Sequence, residues 1–199
     1  MFDSELHNNL AVFKALRSPE ALPPQMHDME ALYRMVEAYR PNIVIEFGCG
    51  FSTVAILTAL KNNKHGFLFS VESEAEWAKD FANTIKVKAF NALSKNLRLM
   101  KSSIGGTQVF DHEGWHYFDA PQVTPDIIYL DGPKLTNGSE ITLTPAKYLI
   151  SRPKGHHIRM AIDGREASVR YYRETWKGRE YDTTHPRWAV LDFSDHNTP

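Results

Sequence analysis

Apolar residues along this chain cluster in two ways, and the two alternate. Short, nearly unbroken runs occupy residues 43–47, 67–71, 97–101, 126–130 and 157–162. Runs of this length, bounded by turn-forming residues, predict buried strands. Between them, apolar residues recur at helical spacing. Met29, Leu32, Tyr33, Val36 and Tyr39 share one face of a predicted helix over 25–39, which Pro41 ends. Residues 54–60 supply the apolar content of the next helix. Residues 74–93 predict a long one with Trp77, Phe81, Ile85 and Phe90 inward. Further helices are predicted from about 141 to 151 and over 166–176, the latter striped by Val169, Tyr172 and Trp176. Residues 1–21 predict a helical arm carrying Leu10, Phe13 and Leu16, broken by Pro23-Pro24. Near the C-terminus, residues 180–184 and 187–193 predict two strands joined through His185-Pro186 and paired antiparallel. Alternating strands and helices predict an α/β chain with a mainly parallel sheet and helices on both faces. No internal repeat or low-complexity segment interrupts the pattern. Residues 1–199 therefore read as one domain, an arm over 1–21 followed by a core over 22–199.

Right-handed crossovers carry the carboxyl ends of parallel strands to one edge, where open α/β folds bind ligands. The residues at those ends are the candidate chemistry. After the first strand comes Gly48-Cys49-Gly50, a turn too tight for large side chains, and Ser52 or Thr53 can cap the helix that follows. Strand, glycine turn and helix N-terminus offer backbone N–H groups and a helix dipole to a nucleotide-like ligand. Glu46 lies inside that apolar strand, and a buried carboxylate needs a partner. A ligand carrying a cation or several donors would serve, and so would neighbouring backbone. Glu72 ends the second strand 24 residues after Gly48, close to the spacing of a ribose-binding acid. There it can accept both ribose hydroxyls or, together with Ser73, cap the next helix. Ser102-Ser103-Ile104 follows the third strand, Asp131-Gly132-Pro133-Lys134 the fourth, and Asp163-Gly164-Arg165 the fifth. Asp131 also suits the start of an Asx-type turn.

The run Glu46-Phe47-Gly48-Cys49-Gly50, taken with Asp126-Ile127-Ile128-Tyr129-Leu130-Asp131-Gly132-Pro133, resembles two motifs of the class I S-adenosylmethionine-dependent methyltransferases. The resemblance covers residues from Gln25 onward and departs at Phe51-Ser52, where a third glycine would stand. It implies a Rossmann-like, seven-stranded, mainly parallel sheet with an antiparallel C-terminal hairpin. It also implies S-adenosyl-L-methionine as cofactor and methyl transfer as the reaction. By the same resemblance, Glu46, Gly48, Cys49, Gly50, Ser52 and Thr53 surround the methionine end and ribose of the cofactor. Glu72 then holds the ribose, and Ser103 and Ile104 meet the adenine. Asp131 borders the transferred methyl as cofactor contact, substrate orienter or base. Asp163 is the second candidate for that work, and Lys134 or Arg165 can hold an anionic substrate. Two neighbouring strand-end acids either share a proton or bind a cation. The metal-dependent catechol-type methyltransferases place a divalent ion there with an asparagine. Here Gly164-Arg165 follows Asp163, and Arg165 can supply the neutralising charge, so no metal is expected.

Three other readings use the same residues. An NAD-dependent oxidoreductase would share the glycine turn and Glu72, but Glu46 and the missing third small residue argue against it. The literal His112-Glu113-Gly114-Trp115-His116 would suit a zinc hydrolase if it were helical. Gly114 inside the motif, with Gly105-Gly106 and Pro121 near its ends, favours an aromatic loop or hairpin over 107–125 instead. That segment, with Trp115, Tyr117 and Phe118, is expected to form part of an acceptor wall. A non-catalytic cofactor-binding protein is the third reading.

Charge and composition narrow the acceptor. Lys plus Arg number 23 against 24 Asp plus Glu, a formal net charge of −1 that argues against a nucleic-acid acceptor. No apolar run approaches membrane-spanning length, and the first residues lack a basic-then-apolar signal pattern. The single cysteine, Cys49, fits a reducing, cytoplasmic setting and a turn that wants a small side chain rather than a catalytic thiol. Arg165, Arg170 and Arg173 suit either a basic rim for an acidic substrate or ordinary solvated helix charges. Asn137-Gly138-Ser139 matches a glycosylation sequon and reads as a turn. The expected acceptor is a small polar or anionic molecule.

Overall fold

The computed structural model describes residues 4–18, 23–136, 140–182 and 188–194. Among the described residues nine strands form two sheets. The strands are β1 (Ile43–Phe47), β2 (Phe67–Glu72), β3 (Leu97–Lys101), β4 (Ile104–Val109), β5 (His112–Tyr117), β6 (Ile127–Leu130), β7 (Ile158–Asp163), β8 (Arg179–Asp182) and β9 (Trp188–Phe193). Seven of them make the main sheet in the order β3-β2-β1-β6-β7-β9-β8. β9 pairs antiparallel with both β7 and β8, and the other described pairings of this sheet are parallel. The architecture is therefore Rossmann-like and mainly parallel, with the antiparallel C-terminal pair that the sequence predicts. Strand order reverses between β1 and β6, the place where open α/β sheets leave a crevice.

Local chemistry sets this register. The Asp126 carboxylate accepts the N–H groups of Asn42 at 2.7 Å and Ile43 at 2.9 Å, pinning the entry of β1 beside β6. Along β1, Val44 packs into one apolar layer and Ile45 and Phe47 into the other, as the two-residue period of a strand requires. The first layer is built by α1 (Ser4–Leu16), α2 (Met26–Tyr39), α3 (Phe51–Asn63) and α4 (Ala75–Ile85). Residues 51–60 of α3 are buried on every side, because α1 and α2 cover the helix where it turns away from the sheet. The second layer holds α6 (Thr144–Ser151), α7 (Glu166–Glu174) and the β4–β5 hairpin.

Three segments differ from their sequence-based expectation. Residues 74–93 are not one helix: α4 ends at Ile85, Val87 is extended, and a 3₁₀ turn over Lys88–Phe90 leads into the short α5 (Asn91–Ser94). The break rotates Phe90 under α1, where its ring lies 6.0 Å from that of Phe13. In α1, Leu6, Leu10 and Phe13 point inward while Leu16 is 45% exposed. The helix expected from 141 begins at Thr144, because the backbone just before it pairs with β5. Trp115 N–H donates to Ile141 O at 2.7 Å and Leu143 N–H to Trp115 O at 2.8 Å. Residues 19–21 of the arm, the Asn137-Gly138-Ser139 turn, and the expected strand positions Thr183, Thr184 and Arg187 with the His185-Pro186 joint lie outside the described residues. Among the described residues no helix is long and apolar enough to cross a membrane.

Candidate functional site

A cavity of about 580 Å³ opens at the carboxyl ends of β1, β2, β6 and β7, where the strand order reverses. Its floor is the glycine turn. Gly48 has φ +95°, and a Cβ there would sit 3.1 Å from the backbone nitrogen of Gly132. The turn can therefore cross beside the segment after β6 only as glycine. Gly50 faces outward: a Cβ on it would meet only Arg17 Nη1, at 3.6 Å, within van der Waals range. Cys49, Gly50, Ser52 and Glu72 line the same cavity, opposite Asp131, Lys134 and Asp163.

Glu46 lies behind this wall, not on it. It is fully buried, and its carboxylate accepts the hydroxyls of Ser52, Thr53 and Ser70, each at 2.6 Å. The partner expected from a ligand or from backbone is thus three side-chain hydroxyls. Thr53 Oγ1 also accepts the Gly50 N–H at 2.8 Å, so the acid ties the glycine turn to α3 from beneath. Thr53 is likewise fully buried and off the cavity wall. Burial raises the pKa of Glu46 to about 7, opposed by the three hydroxyls and reinforced by Asp131.

Glu72 ends β2 on the cavity wall and bonds the backbone at the head of α4. It lines the cavity, and it accepts the N–H of Cys49 at 3.0 Å and that of Glu74, just before α4, at 2.9 Å. One carboxylate thereby fixes the mouth of the glycine turn against the head of the next helix. Beside it, burial raises the pKa of the Cys49 thiol far above its ordinary value, and Glu72 and Glu46 push the same way. A shift in this direction disfavours the thiolate, the nucleophilic form of a cysteine.

Several expected site residues are elsewhere. Ser103 and Ile104 are off the cavity wall because the hairpin draws them away. The Ser103 carbonyl accepts the Phe118 N–H at 3.0 Å, and Ile104 begins β4 and packs on the second apolar layer. Glu74 and Trp77, at the head of α4, line the cavity beside Glu72 instead. Arg165 turns inward. It is 5% exposed, it donates to the backbone oxygen of Asp131, and its Nε and Nη1 are buried without a hydrogen-bond partner among the described residues. Burial lowers its pKa, while Asp131, nearby tyrosines and Asp163 hold it up. It therefore braces the strand ends from within and is not part of the cavity wall. Arg170 pairs with Glu166 at 3.9 Å and Arg173 with Glu174 at 3.5 Å, the solvated-charge reading of that helix.

The zinc motif is not helical. Residues 112–117 form β5, and two histidines four apart on a strand are too far separated to share an ion. His112 packs edge-on to the Tyr171 ring at 4.8 Å, whereas His116 meets Thr144 and Lys147. Gly114 is needed because a Cβ there would overlap the carbonyl oxygen of Ile141. Among the described residues no group of three or more His, Cys, Asp or Glu could hold a metal ion. Trp115, Tyr117 and Phe118, expected on an acceptor wall, do not line this cavity. Tyr117 is fully buried against the Phe47 ring at 5.0 Å, with its hydroxyl beneath Gly132.

The remaining wall comes from a place the motifs do not mark. Arg17, at the end of α1, and Pro23, Pro24 and Gln25, just before α2, close the cavity from above. The sequence does carry a signal for Arg17. It continues the inward stripe of Leu6, Leu10 and Phe13 at helical spacing, and a charge on a buried stripe needs a partner.

No family model matches the sequence. No curated protein matches it either. Solved structures do. The O-methyltransferase TomG from Streptomyces achromogenes, in complex with S-adenosylmethionine, aligns over 97% of this chain and 90% of its own, with 13% identity and a TM-score of 0.59. An O-methyltransferase from Bacillus cereus, in complex with S-adenosylhomocysteine, covers 96% of this chain and 89% of its own at 15% identity and a TM-score of 0.54. A candidate RNA methyltransferase from Pyrococcus horikoshii covers 97% of both chains at 9% identity and a TM-score of 0.52. At such identities the likeness is one of fold, and a fold by itself does not fix the acceptor.

Proposed function

We propose that this chain, built on the class I S-adenosylmethionine-dependent methyltransferase fold, transfers a methyl group to an oxygen or nitrogen of a small polar molecule. One observation carries the reading. A single cavity at the point of strand reversal holds the glycine turn, the strand-end acid Glu72 and the strand-end acid Asp131. The residues present fit the cofactor. Space above Gly50 admits a ligand against the backbone, and Glu72 stands at the end of β2 where a ribose diol is met.

When bound, S-adenosylmethionine supplies a sulfonium methyl and a good leaving group. The chain's own part is to hold, orient and deprotonate. Glu72 accepts from the ribose and keeps the glycine turn in place through Cys49 N–H. Asp131 is the first candidate to orient the acceptor and take its proton. Asp163, whose Oδ2 accepts the Tyr129 hydroxyl at 3.4 Å, is the second. Lys134, exposed on the rim, is placed to meet an anionic acceptor. The size of the cavity suits a small molecule, and a net charge of −1 disfavours a nucleic acid.

Calorimetry with S-adenosylhomocysteine, with NADH as the control ligand, tests the cofactor. Binding of NADH in preference to S-adenosylhomocysteine would overturn the reading. Glu72→Ala is expected to weaken S-adenosylhomocysteine about tenfold or more, since a hydrogen bond to a charged group contributes roughly 1.5–3 kcal/mol. Unchanged affinity in a folded Glu72→Ala protein removes Glu72 from the ribose site. Release of S-adenosylhomocysteine during turnover of small hydroxyl or amine acceptors, but not of RNA, tests the acceptor class.

A further inference from the structure

Arg17 is a cation built into the cavity by a segment that lies outside the methyltransferase motifs. Its helix is anchored by Leu6, Leu10 and Phe13, each at most 3% exposed. The guanidinium is held on one edge by Asp80, which accepts from Nε at 2.8 Å. Its carbon lies 5.1 Å from the centroid of the Trp77 ring and 5.3 Å from that of Phe13, both within cation–π range. The Arg17 side chain is only 5% exposed, so it is fixed in place and largely desolvated. Nη1 is aimed at Gly50, 3.6 Å from where a Cβ would stand, at the head of the thirteen-residue α3.

The other charged groups around this cavity are mostly acids: Glu72, Glu74, Asp131 and Asp163. Lys134, the second cation of the wall, is exposed on the opposite rim. A ligand that bears a carboxylate as well as a positive centre would be sorted by this pattern. The positive centre is drawn to the acids, and the carboxylate to the guanidinium and the positive end of the α3 dipole. We propose that Arg17, carried by the N-terminal arm, binds the carboxylate of the amino-acid end of the cofactor. This rests on the methyltransferase reading above and adds to it the arm as part of the binding site. Arg17 then discriminates between ligands that share an adenosine but differ in the amino-acid end.

Two ligands separate the possibilities: S-adenosylhomocysteine, and 5′-methylthioadenosine, which keeps the adenosine and thioether but lacks the carboxylate. Calorimetry on the full chain is expected to show Arg17→Gln weakening S-adenosylhomocysteine about ten- to a hundredfold, with methylthioadenosine changed by no more than about twofold. Asp80→Asn keeps the cation but loosens its position, and a smaller loss with the same selectivity is expected. It also serves if Arg17→Gln does not fold. Equal losses for both ligands would show Arg17 to be only a support of the pocket and overturn the proposal. Unchanged S-adenosylhomocysteine affinity in both variants overturns it as well. A wild-type protein that binds neither ligand removes the methyltransferase reading itself, and the proposal with it.

Discussion

Gly132→Ala should destabilise the folded protein by about 3 kcal/mol, near the upper end of what overpacking a filled site costs. A Cβ at this position would overlap the Tyr117 hydroxyl and lie 2.9 Å from the backbone nitrogen of Gly48 and 3.0 Å from the carbonyl carbon of Phe47. Two of those three neighbours are backbone of the glycine turn and cannot swing aside. The hydroxyl can be removed. Tyr117 Oη is buried, with only the Ser73 side chain near enough to interact with it and no bond of full hydrogen-bond geometry among the described residues, so Tyr117→Phe alone should cost about 1 kcal/mol or less. Urea titrations of the two single variants and the double variant close the cycle. Gly132→Ala should cost about 1 kcal/mol less in the Tyr117→Phe background than in the wild type. The rest of the penalty should persist, because the backbone contacts persist. A Gly132→Ala protein as stable as wild type would mean that the segment after β6 yields easily, and that the glycine turn is not held where it is seen.

The second large effect is a pH dependence seated at Glu46. Burial carries its pKa from 4.5 to about 7 in the folded chain. Below about pH 4.5 the acid is protonated in both folded and unfolded chains, and the contribution of this group is fully present. As pH rises towards 7, the unfolded chain gives up its proton while the folded chain keeps it, so stability is lost. Above 7 the loss levels off, at about 3 kcal/mol for a shift of this size. Glu46→Gln cannot titrate. The stability difference between Glu46→Gln and wild type should therefore move in favour of the variant by about 3 kcal/mol between pH 4.5 and pH 8. Parallel stability curves for the two proteins would show that the hydroxyls of Ser52, Thr53 and Ser70 hold the carboxylate near its ordinary pKa. The measurement bears on function as well, since Thr53 links this acid to Gly50 N–H and hence to the floor of the cavity.

What the sequence determined by itself is the part of the protein set by short-range pattern. Residues 97–101 lie in β3 as expected, and residues 43–47 and 67–71 fall within β1 and β2. Each is an apolar run between turn residues, and such runs need only a neighbouring strand to become buried. The positions of Gly48, Glu72, Asp131 and Asp163 at strand ends follow from the same pattern, because a strand end is a local property. Their meeting in one cavity follows from right-handed crossovers. Helix over 26–39 was legible from Met29, Leu32, Tyr33 and Val36, all of which are buried.

Only the tertiary structure decided which side chains near those ends face the cavity. Glu46 and Arg165 both point away from it, one to three hydroxyls and one to a backbone oxygen, and nothing in their spacing distinguishes inward from outward. Ser103 and Ile104 do not line the cavity because residues 104–117 pair as a hairpin. Three glycines weaken the local strand signal there, and Gly114 is required by the carbonyl of Ile141, 27 residues further on. Arg17 entered the site for the complementary reason. Its position is set by Asp80 and Trp77, sixty or more residues downstream, so the arm could be read as helix but its cavity-facing residue could not be read from the motifs. Periodicity reports which face of an element is apolar. Which polar side chain meets a ligand depends on how elements distant in the chain come together, and in this protein the decisive partners of Glu46, Arg165 and Arg17 are supplied by elements other than their own.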